Sequence, residues 1–145
     1  LGMRYGIANR LIVPGNPAPQ EVAGIIEHAR ALLFPSRAEG FGLPVLEALS
    51  LGTPVVIADR SPMREIAAGC AWTFDPDYAQ TFASAVRAVL AFGGEAKRKI
   101  ERGKERAKEY SWRSTAAVVE QAFYRAATKE LPPPGTQRPV VLVPR

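Results

Sequence analysis

The sequence is poor in the residues that carry most metal and redox chemistry, with one cysteine and one histidine in 145 residues. A lone Cys70 can form neither an intramolecular disulfide nor a cysteine-ligated metal cluster, which fits a reducing cytoplasm. It reads as a small buried apolar side chain. His28 falls off the apolar stripe of its segment, on the side of Glu21 and Gly24, and reads as a surface residue, neither ligand nor base. Long apolar runs are also missing. "ALLF" and "PVVIA" have the length of core strands, whereas a membrane-spanning helix needs roughly 18 or more consecutive apolar residues. No charged-then-apolar leader and no internal repeat is legible, so the expectation is a cytoplasmic protein of one domain.

Acidic excess is absent too: the formal net charge is +5, which favours anionic partners. The charge is concentrated in "EAKRKIERGKERAKEY", residues 95–110, with seven basic and four acidic side chains. Glu95 with Lys99 and Glu105 with Lys108 stand at i,i+4 and i,i+3, spacings at which a solvated helix supports itself by about 0.2–0.5 kcal/mol per pair. The segment reads as an exposed surface helix. A patch for anionic lipid headgroups, giving peripheral contact with the inner face of a membrane, is the alternative. Nucleic acid is not expected, because no aromatic side chain interleaves the charges to stack on bases.

What is present is an alternation of short apolar runs and helical periodicity. "RLIVPG" precedes "PQEVAGIIEHAR", where Val22, Ile25, Ile26 and Ala29 recur at helix spacing. "RALLFPS" leads through a glycine turn to a helix over about Leu43–Leu51 closed by Gly52, with Pro44 in its first turn. "TPVVIADRS" leads to a helix with Ser61 as N-cap and Pro62 at N1, and "AWTF" precedes "DPDYAQTFASAVRAVLA". Continuously apolar strands alternating with helices predict an α/β fold: an open parallel sheet of about four strands, flanked by helices on both faces. Further helices follow. One has Ser111 as N-cap and a stripe of Trp112, Ala116, Val119 and Phe123 that should pack on something. Residues 1–130 carry this alternation and the helices after it, and the proline-rich residues 131–145 are expected to be a flexible tail.

In an open parallel sheet, ligands bind beyond the carboxyl ends of the strands, where the next helices present their N-termini. The stretch "SRAEGFGLPVLEALSLGTPVV", Ser36–Val56, lies at that edge. A helix starting near Leu43 offers unpaired amides and partial positive charge, and Gly40 and Gly42 let an anion approach the chain without a Cβ in the way. The guest it suits is a phosphate. Glu39 lies ahead of the helix and Glu47 about one turn inside it, roughly 6 Å along the axis from Leu43. A phosphate would rest between them, leaving each carboxylate, an acceptor-only group, to face hydroxyls on its own side. Hydroxyls, diphosphate and again hydroxyls describe a nucleotide sugar. Ser36 and Ser61 share the edge, where loop and cap roles suffice for them. Asn16, after the first apolar run, is either a turn residue or a contact to the nucleotide base.

"FPSRAEGFGLPVLEALSLGTPVV" resembles the donor-site signature of retaining glycosyltransferases with two Rossmann-like lobes, the glycosyl transferase group 1 family of GT-B fold, in which two glutamates are separated by seven residues; the resemblance implies that residues 1–130 are an incomplete C-terminal lobe with a partial Rossmann-like sheet. The resemblance continues through "IADRSPMREIAAGCAWTFDPDYAQTFASAVRAVL" and weakly through "YSWRSTAAVVEQAF", covering about Leu11–Tyr124. It implies that Glu39 is the catalytic-site residue, holding donor-sugar hydroxyls as a positioning group rather than as base or nucleophile. It implies that Gly40, Phe41, Gly42 and Leu43 line the sugar and diphosphate, and that Glu47 holds the ribose. Phe41 either plugs the loop or shapes the sugar pocket. Transfer would retain anomeric configuration, with a nucleotide diphosphate sugar as substrate and no metal or other cofactor implied. The family's acceptor-binding N-terminal lobe, and the Arg and Lys that neutralise the departing diphosphate, have no counterpart in these residues. The chain therefore reads as the donor-binding part of a larger enzyme, inactive alone and needing that N-terminal lobe as partner, with an acceptor that cannot be read. Its incomplete sheet would leave an apolar edge open to self-association. A stand-alone nucleotide or sugar-phosphate-binding module is the alternative, and a nucleotide-sugar epimerase would not be expected to carry "EGFGLPVLE".

Overall fold

A computed structural model describes residues 4–128 of the chain. After a 3-10 turn at Ala8–Arg10, helices and strands alternate: α1 (Pro19–His28), β1 (Leu32–Phe34), α2 (Leu43–Leu51), β2 (Val55–Ala58), α3 (Met63–Ala67) and β3 (Trp72–Phe74). Three further helices follow, α4 (Ala79–Leu90), α5 (Gly94–Lys108) and α6 (Trp112–Thr128). The strands form one parallel sheet in the order β1-β2-β3, with Val55 beside Leu32 and Val56 beside Trp72.

The central strand explains why its sequence is apolar without alternation. Val55, Val56, Ile57 and Ala58 are all fully buried. Val55 and Ile57 enter one core layer with Val45 and Leu49 of α2 and Met63 and Ile66 of α3. Val56 and Ala58 enter the opposite layer with Trp72, Phe74 and, from α4, Ala85 and Val89. With successive side chains pointing to opposite faces, a strand covered on both must be apolar at every position. Each such Val or Ile contributes about 1.5–3 kcal/mol by burial. Helix α5 reaches both layers, because Ala96 packs in the second and Ala107 in the first.

The α/β class is as expected, but the strand count is three among the described residues, not about four. "RLIVPG" is not a strand. Its backbone is extended at Leu11, yet Leu11, Ile12 and Val13 are 53%, 93% and 87% exposed and pair with no neighbour. β-propensity describes fit to a pleated, half-buried surface, and here no adjoining strand supplies that surface. The stripe of α6 also departs from expectation. Trp112 and Phe123 are 71% and 72% exposed, Ala116 is exposed and Val119 only half-buried, so most of the stripe is left open among the described residues.

Helix boundaries follow the local signals closely. Gly42 precedes α2, Pro44 lies in its first turn, and left-handed Gly52 closes it by donating to the carbonyls of Ala48 and Leu49. Ser111 caps α6, its Oγ accepting from the Ser114 amide at 3.0 Å. Helix α3 starts one residue later than expected, with Pro62 at the boundary and the Ser61 hydroxyl donating to the Glu65 carboxylate instead of accepting from an amide. Cys70 is buried and His28 exposed, its Nδ1 near the Gly24 carbonyl. Among the described residues no helix is long and apolar enough to cross a membrane. The expected tail, 131–145, lies outside the described residues.

Candidate functional site

Parallel pairing brings the segments after Phe34, Ala58 and Phe74 to one edge of the sheet. The first of them carries Glu39, Gly40, Phe41 and Gly42 and enters α2 at Leu43. Gly42 has φ +98°, a left-handed conformation that side-chain-bearing residues rarely adopt. It is also buried, and a Cβ added there would stand 3.4 Å from Met63 Cγ. Thus the left-handed backbone demands glycine at this position, while α3 lies in ordinary contact distance of it. At Gly40 a Cβ would meet nothing within 4 Å, so packing within the chain does not explain the absence of a side chain there.

The amides of Gly40, Phe41, Gly42 and Leu43 donate to no protein acceptor among the described residues; the first amides bonded there are those of Val45 and Leu46, to the Gly42 carbonyl at 3.0 and 3.4 Å. Those of Gly42 and Leu43 are orphan donors of the helix start and those of Gly40 and Phe41 lie in the bend just ahead of it, which makes the junction a seat for negative charge. Glu39 is exposed ahead of them, and Glu47, the fifth residue of α2, is exposed one turn further on. Among the described residues neither carboxylate has an ion pair, although arginines stand on the same edge. Arg37 pairs with Asp77 at 2.9 Å, and Arg60 with Asp77 at 2.9 Å and Asp75 at 3.9 Å. Those bonds tie the segments after β1, β2 and β3 together and leave both glutamates open to a ligand. The Ser36 hydroxyl donates to the Ala38 carbonyl at 3.1 Å, a local loop contact.

The six residues from Glu39 to Leu43 and Glu47 therefore share one loop–helix junction. Asn16 does not join them through any hydrogen bond: it lies in an exposed bend ahead of α1. Phe41 is half-buried, packed against the first core layer and edge-on to Tyr110, with ring centroids 5.8 Å apart. Tyr110 was not visible as a neighbour of the loop from sequence, being 69 positions away with no motif to connect them.

A parallel α/β sheet bearing a glycine turn, free helix-start amides and two open carboxylates at its carboxyl edge defines a Rossmann-like lobe of GT-B type. Its fold matches that of sucrose-phosphate synthase from Thermosynechococcus elongatus with a TM-score of 0.80 at 23% identity, over 89% of this chain and 33% of that one. The chain belongs to the glycosyl transferases group 1 family, whose model matches residues 3–106. It is similar to the MMP alpha-(1->4)-mannosyltransferase of Mycolicibacterium hassiacum, 30% identical over 84% of this chain and 32% of that protein. It is also similar to the GDP-mannose-dependent alpha-(1-6)-phosphatidylinositol dimannoside mannosyltransferase of Mycobacterium tuberculosis, 32% identical over 68% of this chain and 25% of that protein. The O-antigen chain mannosyltransferase B of Escherichia coli is 30% identical over 66% of this chain and 25% of its own length. The chain thus spans about a quarter to a third of the length of these relatives.

Proposed function

We propose that the chain supplies the donor half-site of a glycosyltransferase that takes a nucleotide diphosphate sugar and transfers its hexosyl group with retention of configuration. The observation that carries this reading is the row of four unpartnered amides, Gly40 to Leu43, lying between two open carboxylates. The amides and the positive end of α2 would take the diphosphate and stabilise the charge that develops on it as the glycosidic bond breaks. Glu39 would accept hydrogen bonds from donor-sugar hydroxyls, orienting the sugar for attack. Glu47 would accept from the two ribose hydroxyls. Asn16, in the exposed bend ahead of α1, would contact the base. Mannose is the first sugar to test, because the relatives named above are mannosyltransferases.

Among the described residues the arginines of this edge are paired, Arg37 and Arg60 with Asp77 and Asp75 and Arg64 with Asp59. Neutralising the departing diphosphate would then fall to basic residues of earlier βα units of the same lobe and presenting an acceptor to an N-terminal lobe, so this chain alone would bind donor without transferring it. Calorimetry of GDP-mannose, UDP-glucose and ADP-glucose, against the chain and its Glu47→Ala variant, tests the reading. Removing a charge-assisted hydrogen bond worth about 1.5–3 kcal/mol should weaken the preferred donor roughly 10- to 150-fold. Equal affinity for chain and variant would refute the ribose role, and no binding of any of the three would refute the donor half-site.

A further inference from the structure

The loop that opens α2 is supported by residues outside its own motif. On one side Gly42 lies against α3, where an added Cβ would be 3.4 Å from Met63 Cγ and 3.8 Å from Ile66 Cδ1. On the other side the Phe41 ring meets Tyr110 in a T-shaped contact, its plane turned by 74°. Tyr110 occupies the junction between α5 and α6. Arg106, in the last turn of α5, joins the two supports. Its Nη2 donates to the Tyr110 hydroxyl at 2.6 Å and to the Glu65 carbonyl at 3.1 Å, and its Nε donates to the Ile66 carbonyl at 3.2 Å. Its Nη1 pairs with Glu109, so the guanidinium is held at every edge.

The chemistry of this arrangement is specific to arginine. Glu65 and Ile66 lie in the last turn of α3, whose carbonyls have no partner within the helix, and a cation is favoured at that end. A planar fork can serve two carbonyls and a phenol at once, which a single ammonium cannot. Arg106 is only partly exposed, and its guanidinium carbon lies 4.9 Å from the Tyr110 ring centroid. Loop, α3, Arg106 and Tyr110 thus close a circuit of contacts around Phe41 and Gly42.

We propose that Tyr110 and Arg106 are positioning residues of the transferase site: Tyr110 fixes the Phe41 ring, Arg106 fixes Tyr110 relative to α3, and together they hold the four free amides in register. The proposal rests on the reading of that loop as the donor seat. Its test pairs a ligand-free measurement with a binding one. Amide exchange at Val45 and Leu46 reports the loop directly, because both donate to the Gly42 carbonyl, while exchange in β2 reports the whole fold.

Tyr110→Ala should speed exchange at Val45 and Leu46 by about tenfold or more while leaving Val56 and Ile57 unchanged. It should weaken GDP-mannose binding by a similar factor, about tenfold. Tyr110→Phe keeps the ring edge on Phe41 but loses the bond from Arg106, and should fall between the parent and Tyr110→Ala in both measurements. Arg106→Lys retains the charge without the fork and should behave like Tyr110→Ala. Unchanged exchange at Val45 and Leu46 in Tyr110→Ala overturns the proposal. So does a uniform rise that includes β2, which a merely structural role would produce. If the parent chain binds none of the nucleotide sugars, the donor reading fails by itself, and the exchange comparison alone decides whether Tyr110 and Arg106 hold the loop.

Discussion

Two glycines of one loop separate the demands of folding from those of a ligand. Gly42 is required by its own chain: with φ +98°, an added Cβ is strained in backbone whatever the space around it. Gly42→Ala should lose at least about 1–2 kcal/mol of stability from the left-handed backbone alone, measured as a lower urea midpoint with an unchanged m value. Gly40 has no such internal cause, so Gly40→Ala should fold as well as the parent or gain up to about 1 kcal/mol, while losing donor affinity. A Gly40→Ala chain that binds GDP-mannose as tightly as the parent would mean that no ligand approaches the backbone there. At this scale the sequence was most informative. A glycine, a proline and two acids at fixed offsets state a turn, a helix start and two acceptors through local geometry alone. Tyr110 was illegible for the opposite reason, since its link to Phe41 exists only once α5 has folded against α2.

Helix α5 shows how composition can hide packing. Its charges announce a solvated helix, and the two anticipated pairs are present, Glu95 with Lys99 at 3.8 Å and Glu105 with Lys108 at 2.7 Å. Yet Ala96, Gly103 and Ala107 form a buried seam along it. At Gly103 an added Cβ would lie 2.8 Å from Leu49 Cδ2, a side chain itself buried in α2. Small residues contribute little to apolar periodicity, so a seam built from them is quiet in sequence although the helices approach most closely there. Gly103→Val should therefore destabilise the chain by about 1–3 kcal/mol through overpacking, read from thermal unfolding. A neutral result would mean that α5 can move off α2 without cost. The Lys99 ammonium adds a second anchor, donating to the carbonyls of Gly69 at 3.0 Å and Ala71 at 3.1 Å just before β3.

Over the whole molecule, the alternation of strand and helix was legible and the pairing was not. "RLIVPG" and "PVVIA" have similar composition, but only the second has a strand on each side. Which run becomes a strand is a property of its neighbours, and a single sequence names no neighbours. The same holds for α6, amphipathic by pattern yet without a buried residue among those described. A chain ended after Ser111 should keep its melting temperature within about 4 °C of the parent, whereas one ended after Ile100 should show no cooperative transition. A large drop from the first truncation would reveal a structural contact for α6. The contrast follows from α5 reaching both core layers, and it also sets where this fold can be cut. The family match stops at residue 106, but Ala107 closes the first layer and Tyr110 meets Phe41. A gene fragment or fusion partner joined at the end of that match would lose the ring that packs on Phe41 and a side chain of its first core layer, so the structural limit of the lobe runs through Tyr110.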